Sequence, residues 1–349
     1  MNSFAQLAPH DIAEAMGVSV DILWRWARNP QALFKPARQE IVKEKERTIE
    51  PPHFWAKQRL RRLHRLLQKD YSGHRNAHGG VKGRSCFTGA KKHLGRGYVV
   101  IRDISQCYPS VTTDAVRDRL LAIGFRYETA LVLAKISTVG NHLPQGSPIS
   151  SDILNLFLYD ADEGLARVLE KQGVRLHRCY DDVVGSTNSR KVAVTVGESI
   201  EAAIAGHGLQ VNERKRAKNG LTNRNRRQTV HNLDVSNPAG VAIRREDMQK
   251  ATAIAEAYVR GARSVGPDTL EIIAQKRQQV AGYICHFDQA KFSNAGHLRM
   301  LLKHGDSHVI RKLFGVGLDA RKWYVRQRRI NRPRRLAEAW RGKQQSKAA

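Results

Sequence analysis

The stretch VRLHRCYDDVVGST, residues 174–187, constrains this chain more than any other: an alternating run, two adjacent carboxylates, then a second apolar run. The alternation predicts a β-hairpin with Asp181 and Asp182 at its tip. An Asp-Asp pair there is ordinarily turn chemistry, because aspartate hydrogen-bonds its own backbone. A second strand changes that reading. GYVVIRDIS reads as a buried strand over 98–104 that ends at Asp103. Two such strands side by side in one sheet bring three carboxylates together. Clustered carboxylates repel one another or take up protons unless a divalent cation compensates them. Oxygen ligands favour Mg²⁺ over zinc, with Mn²⁺ able to substitute. Two ions held by one such cluster suit in-line phosphoryl displacement, the chemistry of nucleotidyl transfer.

Charge points to the partner. The 349 residues include 60 Lys and Arg against 32 Asp and Glu, a formal net charge of +28, so a polyanion, nucleic acid first, is expected. A membrane surface competes with that reading. No long apolar window is present, however, and MNSFAQLAPHDIAEAM lacks a charged start followed by an apolar run, so a soluble cytoplasmic protein without a membrane partner is expected. Cys86, Cys107, Cys179 and Cys285 lie far apart in sequence with no CxxC spacing. They signal neither a zinc site nor a disulfide framework, and reduced thiols are expected.

Along the chain, DIAEAMGVSVDILWRWARNP predicts two helices around a glycine turn, read as a packing pair, with a nucleic-acid-binding helix-turn-helix as the alternative. A short strand at Arg47-Thr48-Ile49 and a Pro-Pro stop precede a basic amphipathic helix with Leu60, Leu63, Leu66 and Leu67 on one face. NAHGGVKGRS is a glycine-rich loop. A helix begins near residue 113 with Thr113 or Asp114 as its cap, and SDILNLFLYDADEGLARVLEKQG predicts one long helix from a serine-rich cap to Gly173. A helix around 192–205 and a strand pair near 229–235 follow. The order predicts an α+β layer with helices packed on one face of a sheet. The final third reads as helical and basic. Residues 321–349 hold eleven Lys and Arg against one acid, with Trp323, Tyr324 and Trp340 interleaved, which suits an RNA-contacting surface as well as a solvated tail.

RDISQCYPSV (102–111), LPQGSPISSDILNLFL (143–158), CYDDVVGS (179–186) and GLQVNERK (208–215) resemble, in order and spacing, the successive palm motifs of reverse transcriptases. RTIEPP (47–52), WAKQRLRRLHRLL and AHGGVKGRSCFTGAKKHLGRGYVVIRDI are similar to the fingers of bacterial reverse transcriptases, above all those of retrons. RRQTVHNLDVSN and QKRQQVAGYICHF resemble their palm-to-thumb segments. The resemblance implies an α+β right-hand polymerase: fingers, a palm with an antiparallel sheet and packed helices, and a mostly helical thumb. It implies an N-terminal helical extension over 1–45, a fingers and palm core over 46–245, and a basic helical thumb with a C-terminal RNA-binding region over 246–349.

The same resemblance implies roles. Asp103, Asp181 and Asp182 take the catalytic, metal-binding positions, with the Ile104 carbonyl as a further metal ligand. Tyr108 falls under the sugar of the incoming nucleotide, where it would clash with a 2′-hydroxyl and favour dNTPs. Gln145 and Gly146 contact nucleotide and template. Arg47 grips the triphosphate, and Lys215 protonates the leaving pyrophosphate; a strand-end charge, a core tyrosine and a solvated charge run with Arg214 and Arg216 are the plain alternatives for Arg47, Tyr108 and Lys215. His93 is structural. Arg84 is an expected nucleic-acid contact, as are Trp323, Tyr324, Arg328 and Arg329, these last from the interleaving of aromatic and basic residues near the end of the sequence rather than from the resemblance. Three positions depart from the family pattern: Cys179 stands where Tyr-x-Asp-Asp has its tyrosine, Val230-His231-Asn232 replaces Val-Thr-Gly, and Gly89 replaces the asparagine of NAxxH.

The implied function is an RNA-directed DNA polymerase of retron type. It would copy a structured non-coding RNA into RNA-linked multicopy single-stranded DNA from dNTPs, prime from an internal guanosine 2′-hydroxyl, and act in antiphage defence with an effector partner. Alternatives are another defence-associated, diversity-generating or group II-intron-like reverse transcriptase, although no maturase X extension or His-Asn-His endonuclease is evident. An RNA-dependent RNA polymerase and a catalytically silent RNA-binding scaffold complete the set.

Overall fold

Proline and glycine bound the first helices. A computed structural model describes residues 6–42, 45–71, 73–266, 268–289 and 295–314. Helix α1 (Pro9–Met16) opens on a proline and stops at Gly17, whose φ of 69° lies in the left-handed region that glycine reaches without strain. Helix α2 (Val20–Arg28) is capped by Ser19, whose hydroxyl accepts from the Ile22 amide at 3.3 Å. Both bury their apolar residues, Ile12, Met16, Leu23 and Ala27, in one core with Leu60, Leu63 and Leu67 of α3 (Phe54–Asp70). They are a packing pair. From α3, Arg59 caps α1 by donating to the carbonyls of Met16 and Gly17. The strand expected at Arg47 is β2 (Lys45–Ile49), paired antiparallel with β1 (Arg38–Val42), a partner whose sequence RQEIV shows no clean alternation.

Among the described residues, four strands form one antiparallel sheet in the order β4-β5-β3-β6: β3 (Tyr98–Asp103), β4 (Arg175–Cys179), β5 (Asp182–Thr187) and β6 (Leu221–Asn223). Register then sorts the side chains by face. Leu176 pairs with Gly185 and Arg178 with Val183, and this face packs against helices α9 (Tyr159–Leu169) and α10 (Arg190–Ala205). A Cβ on Gly185 would lie 2.5 Å from Val196 of α10, so glycine lets the helix approach. The opposite face carries His177, Cys179, Asp182 and, one strand over, Asp103.

Two details differ from the sequence reading. The cap of α6 (Thr113–Ile123) is Thr112, whose hydroxyl accepts from the Ala115 amide at 3.2 Å; Thr113 is already helical, and its buried hydroxyl meets that of Thr138. The long helix expected from the serine cap is two, α8 (Ser150–Phe157) and α9, broken at the buried Leu158, where ψ opens to 5°. Nor does serine cap it: the Ser150 hydroxyl donates to the Pro144 carbonyl instead. Gly173 does end the segment, at φ 71°.

The described residues fall into two units, one within 1–231 and 235–240, the other within 232–234 and 241–349. The second contains α12 (Arg245–Arg263), α13 (Leu270–Gln289) and α14 (Ala295–Phe314), as the helical reading of the final third expects. Its core holds a buried ion pair, Arg277 with Asp306, which also accepts from the Tyr258 hydroxyl at 2.5 Å. Residues 321–349, with Trp323, Tyr324, Arg328, Arg329 and Trp340, lie outside the described residues.

Candidate active site

Strand register assembles the acidic cluster. Asp103, the last residue of β3, is the direct partner of Asp182, the first of β5, and Asp181 occupies the turn before it. The Ile104 amide donates to the Asp181 carbonyl at 2.8 Å and ties the two strand ends together. Carboxylate oxygens of all three aspartates lie within 4.8 Å of one another. Their charges are only partly compensated, by Lys215 and His231. Burial, then the charges of Asp182 and Asp103, pushes the Asp181 carboxyl up to about 6. Burial likewise raises Asp103, against the hydrogen bond from Lys215. Asp182 is held below the usual carboxylate range: burial opposes this, but the hydrogen bond and charge of His231 outweigh it.

Lys215 is placed by its backbone. Helix α11 (Glu213–Asn219) starts at Asn212, whose side chain accepts from the Lys215 amide while its own amide donates to the Asp103 carbonyl at 2.8 Å. The ammonium pairs with the Asp103 carboxylate, which raises its pKa against the burial that would lower it. Lys215 thus stands at the acidic cluster rather than in a solvated charge run.

A cleft of about 610 Å³ opens over these groups, and Arg47, Asp103, Ile104, Tyr108, Gln145, Gly146, Asp181 and Lys215 all line it. Tyr108 reaches it from a turn in which Gln106 takes a left-handed φ of 45°. Its phenol packs against the core, and burial pushes its pKa up, so it stays neutral. Arg47 is brought near Gln145 and Gly146 by chain pairing, because the Glu50 amide donates to the Gln145 carbonyl at 2.8 Å. Gly146, at φ 124°, is the residue that can adopt this backbone, and a Cβ there would lie 3.4 Å from the Glu50 carbonyl.

The family profile for reverse transcriptase (RNA-dependent DNA polymerase) matches residues 42–225, which contain every one of these cleft residues. The chain belongs to the reverse transcriptase family. It is retron-like. The Mx65 retron reverse transcriptase of Myxococcus xanthus is 28% identical over 312 residues, covering 77% of this chain and 70% of that protein. The Ec86 retron reverse transcriptase of Escherichia coli is 28% identical over 139 residues, 40% of this chain and 43% of that one. A solved structure of apo telomerase from Candida tropicalis is 12% identical, covering 80% of this chain and 62% of that one, with a TM-score of 0.45. No helix among the described residues is long and apolar enough to cross a membrane.

This reverse transcriptase also carries supports that its sequence did not reveal. Arg178, buried behind the hairpin that carries Asp181 and Asp182, donates to both carboxylate oxygens of Asp162, to Asn155 Oδ1 and to the Tyr180 carbonyl. Tyr180 sits at φ 58°, and a Cβ on Gly79 would lie 2.4 Å from its amide nitrogen, so the glycine-rich loop seats directly on the hairpin tip. Arg84, expected to face nucleic acid, turns inward: Nη1 donates to the carbonyls of His74 and Ala77 and props that loop. His93 is structural as expected, fully buried between Ser186 Oγ at 2.7 Å and His177 Nδ1 at 2.6 Å. The space an asparagine would need at position 89 is taken by His177, whose ring would lie 2.3 Å from a Cβ there.

The four cysteines are free thiols, as expected, but their separation in sequence does not hold in space. Cys86 and Cys179, 93 residues apart, bring their sulfurs to 2.8 Å, beside His231. The contact draws the Cys86 thiol down to about 6 and pushes that of Cys179 up. Spacing alone could not show this, because Cys86 opens the short helix α4 (Cys86–Ala90) while Cys179 ends β4.

Proposed function

We propose that this reverse transcriptase copies a structured non-coding RNA into DNA by two-metal nucleotidyl transfer. The observation that carries the reading is the convergence, on one cleft, of Asp103 and Asp181, with Asp182 beside them, and Arg47, Tyr108, Gln145, Gly146 and Lys215. The donor set suits hard divalent cations, being all oxygen and, without them, forced partly toward protonation. Asp103, Asp181 and Asp182, with the Ile104 carbonyl, would hold two Mg²⁺ ions, which when bound supply positive charge to the attacking and leaving oxygens.

The chain's own side chains do the rest. Arg47 binds the triphosphate of an incoming dNTP, and Gln145 and Gly146 position it against the template. The neutral ring of Tyr108 would stand under the sugar and exclude a ribose 2′-hydroxyl, a role supported by its place in the cleft wall. Lys215, kept charged by Asp103, holds at Nζ the proton that the departing pyrophosphate takes up. Resemblance to retron enzymes extends the proposal to a cDNA joined to its RNA through an internal guanosine 2′-oxygen. It extends further to a cytoplasmic role in antiphage defence with an effector, in which Trp323, Tyr324, Arg328 and Arg329 contact the RNA.

The test is dNTP incorporation on an RNA template. Wild type incorporates, and Asp181→Asn and Asp182→Asn abolish incorporation while RNA binding persists. Incorporation that survives both substitutions, or that continues in chelator, overturns the reading. Sequencing the copurifying nucleic acid, and finding a branched RNA–DNA product, tests the retron assignment.

A further inference from the structure

Beside the catalytic cluster, on the same face of the sheet, lies a second group of ligand atoms that nucleotidyl transfer does not use. The sulfurs of Cys86 and Cys179 and a ring nitrogen of His231 all lie within 4.8 Å of one another. Cys179 is buried and Cys86 half-buried. Two thiolates and an imidazole are the donors of a thiophilic ion, not of Mg²⁺. The spot is also where two departures from the family pattern meet, at positions 179 and 231, with the third, Gly89, making room for the neighbouring His177.

His231 is prepared as a ligand would be. Its Nε2 lies 2.7 Å from His177 Nε2, His177 Nδ1 lies 2.6 Å from His93 Nε2, and His93 Nδ1 lies 2.7 Å from Ser186 Oγ. A row of neutral imidazoles has two self-consistent proton patterns. In one, each ring donates toward Ser186 and His231 Nδ1 carries the lone pair a metal would take; in the other, Nδ1–H donates to Asp182, 3.4 Å away, and zinc binding would release that proton to solvent. A metal-bound histidine is ordinarily anchored as in the first pattern, its second nitrogen donating to a fixed acceptor. His231 is moreover held at a left-handed φ of 51°, a conformation a non-glycine residue keeps only when its surroundings impose it.

We propose that Cys86, Cys179 and His231 bind a zinc ion, with a fourth position left for water. At 2.8 Å the sulfurs are too far apart for a disulfide, about 2.05 Å. Zinc–sulfur bonds of about 2.3 Å in tetrahedral geometry would set them about 3.8 Å apart, so each sulfur retreats by about half an ångström. The ion would pin α4 to the end of β4, one residue before the hairpin turn that presents Asp181. The proposal is independent of the polymerase reading, and its test does not use polymerisation.

The full chain is purified under reducing conditions in Mg²⁺ buffer, reconstituted with zinc, desalted, and assayed for metal by mass spectrometry. About one zinc per chain is expected, falling at least tenfold in Cys86→Ser and His231→Ala and unchanged in Asp103→Asn. Because those variants could fold poorly, the wild type carries a second measurement: zinc, but not Mg²⁺, slows iodoacetamide labelling of Cys86 and Cys179 about tenfold while exposed Cys285 labels freely. The proposal is overturned by wild-type zinc below a tenth of an equivalent, by equal zinc in the two variants, or by unchanged labelling. A reductant-reversible mass two units low, the mark of a disulfide, overturns it as well.

Discussion

At the scale of single residues, the proposed function separates cleft groups that would touch substrate from groups that hold them in place. Tyr108 belongs to the first kind. Tyr108→Ala is expected to leave dNTP incorporation within about threefold while discrimination against rNTPs falls by tenfold or more, read as the ratio of kcat/KM for the two substrates. Arg178 belongs to the second. Its guanidinium satisfies a buried carboxylate and the hairpin carbonyl of Tyr180, so Arg178→Met leaves Asp162 charged and alone. A loss of about 3–5 kcal/mol in denaturant unfolding is expected, largely recovered in Arg178→Met with Asp162→Leu. The clustered aspartates were legible because a carboxylate at the end of an apolar run is anomalous by itself. Arg178, His177 and the Cys86–Cys179 contact were not, because an arginine or histidine in an alternating strand reads as its exposed half. Their partners lie 16, 84 and 93 residues away.

At the scale of elements, Gly79 and Gly80, two of the three glycines of NAHGGVKGRS, serve close contacts rather than flexibility. A methyl at Gly79 would meet backbone, the Tyr180 amide at 2.4 Å, which cannot rotate aside. Gly79→Ala is expected to cost about 1–3 kcal/mol and to lower kcat more than it raises KM, because the loop would lift the hairpin tip and with it Asp181. Steady-state kinetics beside a melting curve checks both. The basic helix was readable from periodicity because it buries one face; the central strand and the second strand of the hairpin were readable as short apolar runs of strand length, and its first strand as an alternating one, though all three are covered on both faces. The break at Leu158 was not: both halves keep apolar residues at helical spacing, and only the backbone angle of a buried leucine divides them. Strand β1 was missed for the converse reason, being polar and largely exposed.

At the scale of the molecule, buried histidines make the fold sensitive to acid. Burial holds His93 down to about 3 and His177 well below its ordinary value, so both are neutral when folded, whereas unfolded histidine protonates near 6.5. Below pH 6.5 the unfolded chain therefore binds protons that the folded chain refuses. Stability is fully present above that pH and falls beneath it, by up to about 1.4 kcal/mol per pH unit for each histidine. Denaturant midpoints between pH 7.5 and 5 should decline accordingly, and His93→Gln with its neighbour His177→Gln should flatten the decline.

Pairing of Asp103 with Asp182 has a last consequence. Side chains alternate along a strand, so a β5 shifted by one position against β3 would point Asp182 into the layer of α9 and α10 and offer Val183 in its place. On the proposed two-metal reading, such a chain could not gather its cations at all. Misfolded copies of this enzyme would consequently be inert instead of error-prone, and every molecule able to extend a primer has, by that fact, aligned its strands correctly.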